Sequence, residues 1–236
     1  MLKKFATDAR FLVAAWGVIG LVAGFAPASF AADAGAIQNV TGNVTITNEE
    51  NITRKASVKE AIKPGDTVST EAKSETLIKM ADNTTIVLRP NTQFKFTEYR
   101  FDKKPTDSSI LTVLRGTARL VTGLIGRNNT ANFRVGTPTA TIGIRGTDFE
   151  VAVLPEDTAD ARAGVYNYVR DGSTNIQLAS GQNVNVAKSQ TAFAPSNPKP
   201  GEEALQILRE RPIFLQQGGG LDAIIQSIII QVPVFR

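Results

Sequence analysis

From Gly35 to Pro195 the chain is a succession of short stretches rich in Val, Ile, Thr and Phe, each closed off by Gly, Pro, Asn or Asp, and nowhere in that span does a helical pattern run beyond two turns. Strand side chains alternate between two faces, so apolar residues two apart mark strands with one buried side. Val44 and Ile46, Phe94 and Phe96, Phe133 and Val135, and Ile142 and Ile144 are such pairs. Asp82-Asn83, between Leu77–Met80 and Ile86–Leu88, supplies residues that tolerate positive φ and predicts a hairpin; Arg170-Asp171-Gly172-Ser173, between Val165–Val169 and Asn175–Leu178, predicts another. Gly65-Asp66 predicts a turn. Gly116, Gly143 and Gly146, inside strand-like stretches, predict bulges or close strand approaches. Turn signals recurring at about 8 to 12 residues fit an all-β, antiparallel two-sheet sandwich, with a short β-helix-like winding as the alternative. A doubly wound α/β sheet does not fit.

The two ends read differently. Lys3, Lys4 and Arg10 precede an uncharged run, Phe11–Ala26, and Ser29-Phe30-Ala31 places small residues where a signal peptidase reads them. Residues 1–31 are therefore expected to be a signal peptide cut between Ala31 and Ala32, leaving a periplasmic or secreted protein without a stable membrane span; an uncleaved anchor is the alternative. The β domain is expected over residues 33–195, and residues 196–236 as a linker and helical tail. The linker, Pro195 to Gly201, holds three prolines, which cannot donate to a ladder. Glu202–Arg211, acidic at its start, basic near its end and stopped by Pro212, predicts a short helix. After Gly218-Gly219-Gly220, the spacing of Leu221, Ile224, Ile225, Ile228 and Ile229 predicts a second, although the β-branched run Ser227–Val234 leaves a strand open. Such a tail can cover an open sheet edge or core gap, or present its stripe to a partner or membrane surface.

The chain has no Cys and no His, which removes disulfides, thiolate nucleophiles, imidazole bases and Cys- or His-built zinc sites. Its one Trp, Trp16, lies in the export segment, so the exported chain lacks a tryptophan platform for sugars or bases. Asp148 and Glu150 share a strand face as a glycosidase pair would, but without that platform, and Glu156, Asp157 and Asp160 do not follow a calcium-loop pattern. No serine-nucleophile motif is present. A non-enzymatic protein without cofactor or metal is expected. The net charge of +4 is small and the chain is exported, so nucleic acid is not an expected partner.

Charge is unevenly spread. Residues 100–147 hold eight bases and two acids, whereas residues 148–160 hold five acids and no base. Arg115 and Arg119, four apart on a strand, should face one side, and Arg134 lies opposite Phe133 and Val135, so several guanidinium groups are expected on one outer face. That face suits an acidic partner, or is a solvated face balanced by the acidic loop. Arg145 and Asp148, beside Gly143 and Gly146, form either an exposed recognition pair or an internal structural pair. The candidate partner-binding residues are thus Arg115, Arg119, Arg134, Arg145 and Asp148.

Four blocks in order carry a family resemblance: Ile62-Lys63-Pro64-Gly65-Asp66-Thr67-Val68-Ser69-Thr70; Ala81 to Thr92, reading ADNTTIVLRPNT; Leu114-Arg115-Gly116; and Phe133 to Val151, reading FRVGTPTATIGIRGTDFEV. Over most of Gly35 to about Pro195 the sequence resembles the FecR domain family, bacterial envelope modules named for a regulator of ferric citrate transport. Regulators of that family carry a cytoplasmic segment that holds a sigma factor, one membrane span and this β domain in the periplasm. Here ten residues precede the apolar run, too few for a folded sigma-binding unit. The resemblance therefore implies a stand-alone exported module that recognises a protein partner, with signalling as one role open to it; the alternative partner is peptidoglycan or an anionic glycan of the cell wall.

Overall fold

The computed structural model describes residues 33–216, 219–222 and 224–225. The expected signal peptide with its Ala31–Ala32 cut, and Ile228 and Ile229 of the tail, lie outside the described residues. The strands are β1 (Gly35–Thr41), β2 (Val44–Thr47), β3 (Thr53–Lys55), β4 (Ala61–Ile62), β5 (Thr67–Thr70), β6 (Glu75–Met80), β7 (Thr85–Leu88) and β8 (Gln93–Arg100). Then come β9 (Ser108–Val121), β10 (Phe133–Gly136), β11 (Ala140–Leu154), β12 (Gly164–Leu178), β13 (Asn183–Ala187), β14 (Thr191–Pro195) and β15 (Gln206–Leu208). Among the described residues are also two short helices, α1 (Leu124–Asn128) and α2 (Ile213–Gln216), and a helical turn at Asp222 to Ile225. The protein is mostly β, as its alternation requires. Among the described residues no helix is long and apolar enough to cross a membrane.

All fifteen strands join one continuous sheet, and three long strands, β9, β11 and β12, divide it into two halves. The first half runs β3-β2-β5-β8-β9-β10-β11-β12-β13. The second runs β4-β1-β6-β7-β9-β11-β12-β14-β15. Among the described residues every pairing is antiparallel except β9 with β10. That parallel contact needs a crossover, supplied by α1 and a 3₁₀ turn, Thr130–Asn132. Asp82 fastens the crossover: fully buried in the β6–β7 hairpin, its carboxylate accepts the Ile125 N–H at 3.2 Å, the Thr84 N–H at 3.0 Å and the Thr84 hydroxyl at 2.9 Å.

One core lies between the halves, with Val44, Ile46, Val68, Phe94 and Phe96 from the first and Ile37, Ile78, Ile86 and Leu88 from the second. Both halves of a long strand can face that core only if its alternation is interrupted. The inward residues flanking the interruption are Val113 and Ala118 in β9, Ile144 and Phe149 in β11, and Val169 and Thr174 in β12. Each pair is separated by an odd number of positions, which on an uninterrupted strand would put its members on opposite faces. Inside each window sits a glycine with positive φ: Gly116 at +83°, Gly146 at +57° and Gly172 at +80°. The β11–β12 register shifts where Gly146 faces Gly172, and the β8–β9 register shifts separately at Leu114; the extra residue accommodated at each place restores both halves to the core.

Gly172 is far less replaceable than Gly146: a Cβ there would lie 2.4 Å from the Gly146 carbonyl oxygen, whereas one on Gly146 meets nothing within 4 Å. Gly172→Ala is expected to destabilise the fold by about 2 kcal/mol or more, and Gly146→Ala by about 1 kcal/mol, the left-handed backbone alone. Urea midpoints of the two variants check the order; equal shifts would remove the steric account.

Two sequence expectations are corrected. Arg170–Ser173 does not close a hairpin, because β12 runs straight through it and Gly172 makes a bend within the strand. Glu202–Arg211 is not a helix: Gln206–Leu208 pairs with the β14 edge, Thr191 to Phe193, taking ladder hydrogen bonds in place of helical ones. Glu202 holds the turn before it, accepting from the Lys199 N–H at 2.7 Å and from Arg162 Nη2 at 3.2 Å. The Arg162 hydrogen bond takes the Glu202 carboxyl down to about 2.

Candidate functional site

On the outer face of the first half, register builds a polar row: Arg134 pairs with Gly143, Gly143 with Asn175, and Asn175 with Asn185. Directly paired residues in adjacent strands project to the same side, so these four lie side by side. Gly143 leaves a dip in the row; a Cβ there would come no nearer than 3.9 Å to another atom. The result is a cleft of about 440 Å³ with Gly143, Ile144, Arg145, Ser173, Asn175 and Asn185 among its lining. Its remaining wall is the 3₁₀ turn, with Thr130 and Ala131. Arg134 Nε donates to the Ala131 carbonyl at 3.3 Å, and Asn175 Nδ2 donates to Asn185 Oδ1 at 2.8 Å. Arg134 and Arg145 are both exposed. Among the described residues the Arg145 guanidinium has no ion-pair partner. Two guanidinium forks flanking a cleft with amide and hydroxyl walls can hold a carboxylate and the hydrogen-bonding groups beside it.

Arg119 and Asp148 lie elsewhere, which corrects the expectation that Arg119 shares an exposed face with Arg115. Both arginines point away from the core, but on either side of the Gly116 bend: Arg115 is exposed opposite Gln93, and Arg119 is 0% exposed on the outer face of the second half. The partner of Asp148 is Arg119 rather than Arg145, through a bidentate pair at 3.0 and 2.7 Å. The pair opens an alternating string of charges. Arg119 Nη1 donates to Asp222 at 3.1 Å, Arg89 Nη2 donates to Asp222 at 3.0 Å and stands 3.4 Å from Glu150, and Glu150 pairs with Arg170 at 2.5 Å and Arg211 at 3.1 Å. Burial pulls the Arg119 guanidinium down, yet the hydrogen bonds and charges of Asp148 and Asp222 hold it above its ordinary value. Burial likewise pushes Asp222 up, and Arg89 and Arg119 outweigh it to keep the carboxyl below the usual aspartate range.

The C-terminal segment seals this face. Leu215 of α2 is buried with Ala152, Tyr166 and Phe193, while Leu221 and Ile225 cover Leu77 and Val87. Arg211 stacks 4.0 Å above the Tyr168 ring. Of the expected turn residues, Gly65 has φ +89°, and the buried Asp66 accepts from the Lys63 N–H and from Arg54 Nη2, each at 3.0 Å. Among the described residues no group of three or more carboxylates is placed to hold a metal ion. Sequence reasoning missed Ser173, Asn175 and Asn185 of the cleft, and Arg89, Glu150, Arg170, Arg211 and Asp222 of the string. The odd spacing of inward residues across Gly116, Gly146 and Gly172 was the available signal.

Among known families, FecR protein matches residues 66–167. No curated protein matches the chain. Among solved structures, the chain is similar to two crystal structures of a protein proposed as an anti-sigma factor from Parabacteroides distasonis ATCC 8503. Identity is 16% in one and 15% in the other; in both the TM-score is 0.49, and the likeness covers 69% of this chain and 72% of that one.

Proposed function

We propose that this chain, which carries a FecR domain over residues 66–167, is an exported, non-enzymatic module of the cell envelope that recognises a protein partner in signalling, through the outer face of its first half. The observation that carries this reading is the cleft at Gly143, flanked by the exposed Arg134 and Arg145 and walled by Asn175 and Asn185. The absence of Cys and His supports binding over turnover. The N-terminal pattern of charged, apolar and small residues supports export.

A photo-crosslinker at Asn185 of the full-length protein in its host is expected to trap one discrete envelope protein. Arg134→Glu with Arg145→Glu should cut its recovery by about tenfold, the equivalent of about 1.4 kcal/mol, and raised salt should weaken the contact. Recovery of cell-wall polymer alone would replace this reading with that of a glycan-binding module. Trapping unchanged by the two charge reversals would remove the cleft from the interface.

A further inference from the structure

The covered face of the second half is a shaped site in its own right. Its floor is Leu77, Val87 and the half-buried Val121, a cluster apart from the main core that Leu221 and Ile225 complete. Its rim carries Arg89 and Arg119, which take Asp222 between them, and Glu75, whose carboxylate accepts the Leu221 N–H at 3.3 Å. The occupant is one helical turn: Asp222 accepts the Gly219 N–H at 2.9 Å, and the Ile224 and Ile225 N–H groups donate to the Leu221 carbonyl at 3.1 and 3.2 Å. What the site reads is therefore an aliphatic residue, an aspartate next to it, and a second aliphatic residue one helical turn later.

Three observations make this occupant removable. It follows a run of glycines, Gly218 to Gly220, that imposes little conformational preference. It contributes to the separate cluster and leaves the main core untouched when it departs. The charges left behind still have partners, because Arg119 keeps both bonds to Asp148 and Arg89 keeps Glu150.

We propose that this groove is a docking site for a partner's short acidic amphipathic helix with the same aliphatic-Asp-x-x-aliphatic pattern, and that the chain's own Leu221–Ile225 occupies it as an intramolecular competitor. Charge complementarity fixes the occupant's chemistry: Arg89, Arg119, Arg170 and Arg211 stand with Asp148, Glu150 and the rim's Glu75, one positive charge in excess, and Asp222 supplies the missing negative one. A tethered segment acts at an effective concentration of about millimolar, so a free segment with equal contacts displaces it only near that concentration. Clearing the tail from the groove lifts that competition.

The test uses the full-length protein and a fluorescent peptide of residues 219–231 carrying added lysines for solubility. Asp222→Arg sets a third cation against Arg89 and Arg119 and expels the tail. Fluorescence anisotropy is expected to show the peptide binding this variant at least about tenfold more tightly than the wild type, and an Asn in place of the peptide's Asp should abolish binding. A folded Asp222→Arg protein that ignores the peptide, or that binds the Asn peptide equally well, overturns the proposal. Hydrogen exchange on the wild type gives a second readout independent of that variant: the Ile224 and Ile225 amides should open well before those of β11, and exchange only together with β11 would show that the groove never opens.

Discussion

Arg119→Leu is expected to lower the free energy of unfolding by about 3–5 kcal/mol, while Arg115→Leu, four positions earlier on the same strand, changes it by no more than about 0.5 kcal/mol. The contrast follows from the Gly116 bend. Arg115 stands in solvent, where water replaces whatever its guanidinium gives up. Arg119 is 0% exposed and spends its forks on Asp148 and Asp222. Removing it strands Asp148 beside buried strands and halves the grip on Asp222, and a buried charge left without its partner costs more than the pair contributed. Urea unfolding with an unchanged m-value is the measurement. Similar midpoints for the two variants would mean that Arg119 is solvated and that the string of charges does not form.

Glu150→Leu is the second large effect, with an expected loss of about 3 kcal/mol. Glu150 is 0% exposed and is the one carboxylate that Arg89, Arg170 and Arg211 share. Without it Arg170 and Arg211 lose their carboxylate, and Arg89 keeps its pairing with Asp222. Arg170 and Arg211 are each about one-fifth exposed and can turn outward, which sets the estimate at the lower end for a broken buried pair. Burial already pulls the Arg211 guanidinium down, with Glu150 only partly offsetting it. Arg211→Met in the Glu150→Leu background should therefore recover part of the loss, with a coupling energy above about 1 kcal/mol in the double-mutant cycle. Strict additivity would place Arg211 outside the string.

Much of the β architecture was legible because apolar residues two apart report a buried strand face directly: Phe94 with Phe96 and Phe133 with Val135 all proved fully buried. The Asp82-Asn83 hairpin was equally legible, since Asn83 takes the positive φ its side chain tolerates. Arg170–Ser173 failed for an instructive reason: Gly172 has the same backbone freedom in a bend within a strand as in a hairpin turn, and only the facing Gly146 decides which one forms. Glu202–Arg211 has good helix propensity, yet an unpaired edge on β14 offered its backbone more. The site divided in the same way. Arg134 was placed outward correctly by its buried neighbours Phe133 and Val135, whereas the count of four between Arg115 and Arg119 gave their outward direction but not that they pair in different halves, Arg115 with Gln93 and Arg119 with Glu150 and Val87. Asp222 could not have been assigned to Arg119, 103 positions away, by any local pattern.

Because β11 and β12 lie side by side and both step out of phase where Gly146 faces Gly172, their lengths there are not independent. Deleting Gly146 alone would turn the downstream part of β11 inside out, sending Phe149, Val151 and Val153 to the surface and Asp148 and Glu150 into oil, while the flanking strands kept their old phase. Relatives of this protein that gain or lose a residue at that level are bound to do so in both strands together, a paired indel that an alignment of such sequences can show directly.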